Sequence, residues 1–63
     1  MRNLEDKMND MMQCLISTAV DVEKFEQGNK SAGTRIRQAM QEIKRLAQDV
    51  RVDVQAIKNK ELV

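Results

Sequence analysis

The 63-residue sequence contains no proline, histidine, tryptophan or tyrosine, and it has one phenylalanine and one cysteine. A lone cysteine, Cys14, excludes an internal disulfide, and the absence of histidine disfavours a metal site. There is no histidine to activate Ser17, Thr18 or Cys14, and there is no paired acid and base or glycine-rich phosphate loop. We therefore expect neither an enzyme nor a cofactor, metal or small-molecule substrate.

Long apolar runs are also absent, so we expect no membrane span and no leader peptide. A single free thiol is compatible with a reducing compartment, and we expect a cytoplasmic protein. A chain of this length buries too little apolar surface to be very stable by itself. We therefore expect a homodimer or a higher homo-oligomer.

The only two glycines, Gly28 and Gly33, bracket the one turn-like segment. Gly28 suits the left-handed position that often follows a helix, and Asn29 or Ser31 can cap the helix that comes next. Gly33 would lie in the first turn of that helix, where it would permit close approach by the facing helix or by a ligand. The sequence therefore predicts two helices with a break near 28–31.

Apolar residues recur in steps of three and four on both sides of this break, which predicts one buried stripe on each helix. In helix 1 the stripe is Leu4, Met8, Met11, Leu15, Thr18, Val22 and Phe25, widened by Met12 and Ala19. In helix 2 it is Ala32, Ile36, Ala39, Ile43, Leu46 and Val50, continued by Val54 and Ile57 and widened by Met40 and Ala47. Ile16 and Val20 lie outside the stripe and are either scattered surface residues or a contact between hairpins.

Both stripes have the width found in helix bundles. We therefore predict an all-α protein, a single antiparallel helical hairpin domain over residues 1–63. Helix 1 would span about 3–27 and helix 2 about 30–60. Two such hairpins would pair into a dimeric four-helix bundle or coiled coil, because one hairpin leaves part of its apolar surface in water.

The net charge of +1 hides an unequal distribution of charge. Residues 1–27 hold three basic and six acidic side chains, a balance of −3, whereas residues 28–63 hold eight basic and four acidic, a balance of +4. The basic residues of the second half include five that are spaced by seven: Lys30, Arg37, Lys44, Arg51 and Lys58. This set, the basic stripe, would form one line of about 42 Å along a helix.

Uncharged residues form a second line beside the basic stripe, namely Thr34, Gln41, Gln48 and Gln55. Glu42 and Asp49 fall on the opposite flank of the helix. The residues alone leave two interpretations open: a surface that binds nucleic acid, or a charged face that only keeps a bundle helix in water. The second interpretation describes a small oligomerising protein-interaction module with no nucleic-acid role. Membrane binding is disfavoured, because the bundle uses the apolar face and helix 1 is acidic.

The segment from Glu26 to Arg37 resembles the conserved region of the chlamydial linker-histone-like proteins, a family of small bacterial DNA-condensing proteins. The likeness lies in Gly28-Asn29-Lys30, the small pair Ala32-Gly33, and the two arginines Arg35 and Arg37. It extends over about residues 20–58 and corresponds to the core domain, without the Lys-rich tail that members typically carry.

The resemblance implies a nucleoid-associated protein that compacts or bridges DNA. We expect it to bind DNA without sequence preference, through phosphate contacts from helix 2. The expected DNA-binding residues are the basic stripe together with two further arginines: Lys30, Arg35, Arg37, Lys44, Arg45, Arg51 and Lys58.

Overall fold

The chain folds into two helices that pack side by side, and the computed structural model describes residues 3–61. Helix α1 spans Leu4–Glu26 and helix α2 spans Lys30–Glu61. The two run antiparallel in a thin rod of 54 × 16 × 15 Å. Within residues 3–61 there is no strand, and the predicted all-α helical hairpin is confirmed.

Each helix begins at an asparagine cap. The side chain of Asn3 accepts a hydrogen bond of 2.9 Å from the backbone N–H of Asp6. At α2 the side chain of Asn29 accepts one of 3.3 Å from the N–H of Ala32. Ser31 donates its hydroxyl to the same Asn29 oxygen at 2.7 Å. Of the two predicted caps, Asn29 therefore satisfies the free amide, and Ser31 supports it.

The turn between the helices depends on Gly28, whose φ of +101° is the left-handed conformation predicted for it. The N–H of Gly28 donates to the carbonyl of Phe25, and the N–H of Asn29 donates to the carbonyl of Lys24, both at 3.0 Å. This pair of bonds is the Schellman motif, which satisfies carbonyls at the end of a helix and reverses the chain. The motif directs α2 back along α1.

Gly33 lies in close contact with the facing helix, which is one of the two kinds of close approach predicted for its position. A Cβ atom at Gly33 would lie 2.8 Å from the ring of Phe25. Since real Cβ contacts are essentially never that short, the Phe25 ring occupies the space that a larger residue would need. The contact joins the last turn of α1 to the first turn of α2.

The stripe predicted for α2 faces α1 over most of its length. Ala32 is completely buried, and Ile36, Ala39, Ile43, Leu46 and Val50 are half-buried. Of the two residues predicted to widen the stripe, Ala47 is half-buried, but Met40 is 42% exposed, so the prediction is wrong for Met40.

Beyond Val50 the prediction is wrong, because Val54 and Ile57 are 44% and 48% exposed. At the level of Val54 the residue that faces α1 is Asp53, which pairs with Lys7. Ile57 lies beyond the start of α1, because α1 has 23 residues and α2 has 32. At 1.5 Å per residue α2 extends about 13 Å further, so within residues 3–61 its last turns have no opposite neighbour.

On α1 the seam, meaning the line of residues that faces α2, differs from the predicted stripe. The stripe placed Met8, Leu15 and Val22 against α2, but they are 47%, 51% and 39% exposed. Met12 and Ala19, predicted to widen it, are exposed as well. The residues that face α2 at those levels come one position earlier, and they are Lys7, Cys14 and Asp21. Leu4, Met11 and Thr18 lie in the seam as predicted.

Contacts between the two helices explain why Lys7, Cys14 and Asp21 face α2. Lys7 pairs with Asp53 at 2.5 Å, and Asp21 pairs with Arg35 at 2.9 Å. Between these two ion pairs the small Cys14 side chain contacts the carbonyl of Ala39, with its sulfur 3.8 Å from the oxygen. Small side chains at the centre let the helices approach, and ion pairs near both ends set their register.

The buried polar residue of α1, Thr18, is satisfied within its own helix. Its hydroxyl donates to the carbonyl of Cys14 at 2.6 Å. The side chain is 5% exposed, and the bond removes the cost of burying the hydroxyl. Thr18 therefore fits the seam without a partner on α2.

Replacing Gly28 by alanine tests the turn. Nothing lies within 4 Å of a Cβ atom at this position, so the expected cost is the backbone strain of the left-handed conformation, about 1–2 kcal/mol. Urea unfolding at fixed protein concentration measures this loss. Gln27→Ala is the matched control, because Gln27 precedes Gly28 and has an ordinary φ of −83°. Equal stability of the two variants would contradict the role of Gly28.

Candidate nucleic-acid interface

The basic stripe lies on one uninterrupted helix. All five of its residues fall within Lys30–Glu61, and all five side chains are exposed. Because α2 is continuous, the spacing of seven keeps them along one side of the rod, about 42 Å from first to last. In the part of the chain that the structure describes, no carboxylate forms an ion pair with any of the five. Their charges are therefore free to meet an external anion.

The two further predicted arginines are placed differently. Arg35 points toward α1, where its Nε lies 2.9 Å from the carboxylate of Asp21. Arg45 forms an ion pair with Glu42 one turn earlier on its own helix. The structure therefore groups five of the seven predicted residues in one line and gives Arg35 and Arg45 acidic partners. The Asp21 pairing was missed at the sequence level, because the two residues are 14 positions apart and meet only through the hairpin.

Amide side chains accompany the middle of the stripe, as their spacing predicts. Gln41 and Gln48 line a shallow hollow on the outer side of α2 together with Lys44 and Arg45. Glu42 and Asp49 border the same hollow. Near the end of the helix, the amide of Gln55 donates to Asn59 at 3.2 Å. Side-chain amides are common ligands of phosphate oxygens, so these residues can support the cationic contacts.

A second hollow lies at the loop end of the hairpin, between the two helices. Val22 and Phe25 of α1 and Gly33 and Ile36 of α2 form its apolar part, and Lys30, Thr34 and Arg37 complete its lining. The start of the basic stripe therefore adjoins apolar side chains of α1. Residue spacing along either helix alone gives no sign of this contact, which depends on the level at which the helices cross.

Other kinds of site are not evident in residues 3–61. No cluster of three or more cysteine or acidic side chains in that range is arranged to hold a metal ion. Neither described helix combines the length and the apolar character needed to cross a membrane. The basic stripe and its amide neighbours are thus the most distinctive chemical surface of the described chain.

Comparison with known proteins gives a match to a protein-family model. A family model described as Histone H1-like protein Hc1 matches residues 5–60, which is 56 of the 63 residues and includes the whole basic stripe. No curated protein and no solved structure matches the chain.

Proposed function

Since the chain belongs to the Histone H1-like protein Hc1 family, we propose that the basic stripe of α2 is the surface with which it binds DNA. The family is a structural, histone-like family of DNA-binding proteins of the nucleoid and is not an enzyme family. What the family leaves open is which residues meet DNA and how. The observation that carries the proposal is a line of five exposed cations without an acidic partner among residues 3–61.

The chemistry of these residues accounts for binding to the DNA backbone. A Lys or Arg that neutralises a phosphate releases the counterion held there, which makes affinity fall as salt rises. Each phosphate contact contributes about 0.9 to the slope of log affinity against log salt concentration. Five contacts would give a slope of about −4.5 for each chain, and this value is an upper limit. A straight line of 42 Å spans more than one turn of duplex, so it cannot follow a single strand throughout.

The same surface lacks the features that read a base sequence. Phe25 is the only aromatic residue of the chain, and its ring packs against Gly33, so there is no row of aromatic side chains on which bases could stack. The stripe also runs along the side of a packed hairpin helix, whereas the recognition helix of a helix-turn-helix protein presents base contacts from its N-terminal residues in the major groove. Binding should therefore be independent of sequence.

Compaction or bridging of duplexes requires more than one stripe. We propose that the protein acts as a homodimer or higher homo-oligomer located at the nucleoid, where each hairpin contributes one stripe. A dimer with two stripes gains affinity through multivalency, because binding by the first raises the effective DNA concentration at the second. Arg35 and Arg45 would contribute less to binding, since each must first leave its carboxylate.

The double substitution Arg37→Gln with Lys44→Gln tests the stripe. We expect the magnitude of the salt slope to fall by about 1.8 per chain, with lower affinity for duplexes of any sequence. Fluorescence anisotropy on two unrelated random-sequence duplexes, between about 50 and 200 mM salt, measures both effects.

Lys24→Gln with Lys60→Gln is the matched control. It removes the same charge from two exposed residues outside the stripe, and we expect it to leave the slope unchanged. Equal losses in both double variants would show that net charge, and not the stripe, governs binding. Absence of a salt-sensitive complex for the wild type at roughly 100 µM protein would favour the protein-interaction module instead.

Arg35→Gln distinguishes the stripe from its neighbours. Because the Arg35 guanidinium is already paired with Asp21, we expect the salt slope to change by much less than the 0.9 expected for a full phosphate contact. A measurement with Arg37→Gln alongside provides the comparison, since Arg37 is two residues away on the same helix. A larger effect at Arg35 than at Arg37 would contradict the assignment.

A further inference from the structure

Helix α1 carries a second apolar stripe that the hairpin does not cover. Met8, Met12, Leu15, Ala19 and Val22 follow the same steps of three and four as the seam, and the four larger side chains are between 39% and 54% exposed. Each of these residues comes one residue after a seam residue, so it lies about 100° around the helix from that residue. A helix with two such stripes is typical of a bundle in which it has two helical neighbours.

Helix α2 extends this apolar surface on the same side of the hairpin. Val22 shares the loop-end hollow with Ile36 and with Lys30 and Arg37 of the basic stripe. Met40, one turn further along α2 than Ile36, is 42% exposed. We call this surface the open face; it consists of the second stripe of α1 and the exposed apolar residues of α2 beside it. The basic stripe forms one long edge of the open face.

The hairpin exposes more surface than a compact monomer of its mass. The hairpin has 5369 Å² of accessible surface at a mass of 7.3 kDa. A compact monomer of that mass exposes about 4,200 Å². The excess of about 1,200 Å² is larger than the roughly 800 Å² that one partner contributes to a stable interface. Among the described residues, Ala32 is the only apolar side chain that is fully buried, so the hairpin has almost no core of its own.

We propose that a second copy of this chain covers the open face, with α1 of each copy lying over α2 of the other. The proposal deepens the proposed function, in which two stripes bridge DNA, by assigning the interface and its geometry. A lipid surface fits less well, because α1 is acidic and would be repelled by anionic headgroups. Two orientations of the second copy are compatible with a two-fold axis: one parallel to the helices and one perpendicular to them.

The charges along the two edges of the open face distinguish between these orientations. The edge of the open face on α2 is the basic stripe, and the outer edge on α1 carries the exposed acids Glu5 and Glu23. An axis parallel to the helices places the acidic edge of one copy against the basic edge of the other. A perpendicular axis places like edges together, which is repulsive. Exposed ion pairs are worth only about 0.2–1 kcal/mol each, but opposite signs in the two orientations are enough to select one.

The register of the hairpin gives the expected partners. Within one copy, Lys7 lies level with Asp53, and Asp21 lies level with Arg35. In the parallel-axis dimer the α1 helices of both copies share the same level. Since Glu23 comes two residues after Asp21, Glu23 of one copy lies level with about residue 33 of the other, between Lys30 and Arg37. By the same rule Glu5, two residues before Lys7, lies level with about residue 55, between Arg51 and Lys58.

This arrangement separates the two basic stripes. Each stripe lies at the outer edge of its own α2, and the parallel axis places the two edges on opposite flanks of the bundle. The perpendicular axis would put both stripes on the same flank, facing a single duplex. The parallel-axis dimer can therefore hold one duplex on each side, which is the geometry of a bridge.

The open face is tested by Leu15→Asp with Val20→Asp as its matched control. Both residues are half-exposed apolar side chains of α1, at 51% and 55%, but Val20 lies 140° around the helix from Leu15. Sedimentation equilibrium without DNA should show a dimer for the wild type and for Val20→Asp, and a monomer for Leu15→Asp at the same concentration. Circular dichroism should show all three helical. A monomeric wild type, or equal dissociation of both variants, overturns the proposal.

The orientation is tested by exchanging charges between the edges. Glu23→Lys and Arg37→Glu should each weaken dimerisation about tenfold, since each reverses two symmetric ion pairs, and the double variant should recover most of this loss. A tighter dimer for Glu23→Lys alone would show that the acidic edges face each other, and so would overturn the α1-over-α2 arrangement. These measurements contain no DNA, so they can fail or succeed independently of DNA binding by the basic stripe.

Discussion

The narrow seam between α1 and α2 is the constraint on which the rest of the structure depends. Two helices share only one line of contact, and here the line is made of small and polar side chains, with Cys14 against Ala39 at its centre and ion pairs near both ends. This seam holds the helices in register but buries very little apolar surface. Larger apolar side chains of α1 are consequently left facing outward, and they form the surface that the proposed dimer would cover.

The same seam determines how the charges are displayed. Asp53 and Asp21 are used within the hairpin, where they pair with Lys7 and Arg35. Within one hairpin these two acids therefore form no ion pair with the basic stripe. A protein with a net charge of +1 can in this way present a continuous cationic line on one side and remain nearly neutral as a whole.

Much of the fold could be predicted from local patterns, because helix caps, the Gly28 turn and the α2 stripe depend on residues close together in sequence. The face of α1 that packs against α2 could not be predicted in this way. Two sets of residues complete a helical stripe with Leu4, Met11 and Thr18. One set is Met8, Leu15 and Val22, and the other is Lys7, Cys14 and Asp21. Hydrophobicity alone favours the first set. The structure uses the second set, because ion pairs and a small central side chain pack better between two close helices. The partner of Arg35 was unpredictable for the same reason.

The different lengths of the two helices have a consequence for local stability. The last turns of α2, which carry Lys58, extend beyond the start of α1 and receive no packing from it. A helical segment without tertiary support is marginal in water, so its amides should exchange with solvent far sooner than those near the turn. The local stability of the rod should therefore be highest near the loop and lowest at the C-terminal end of α2. An anion that binds at Lys58 must supply the free energy for ordering that end.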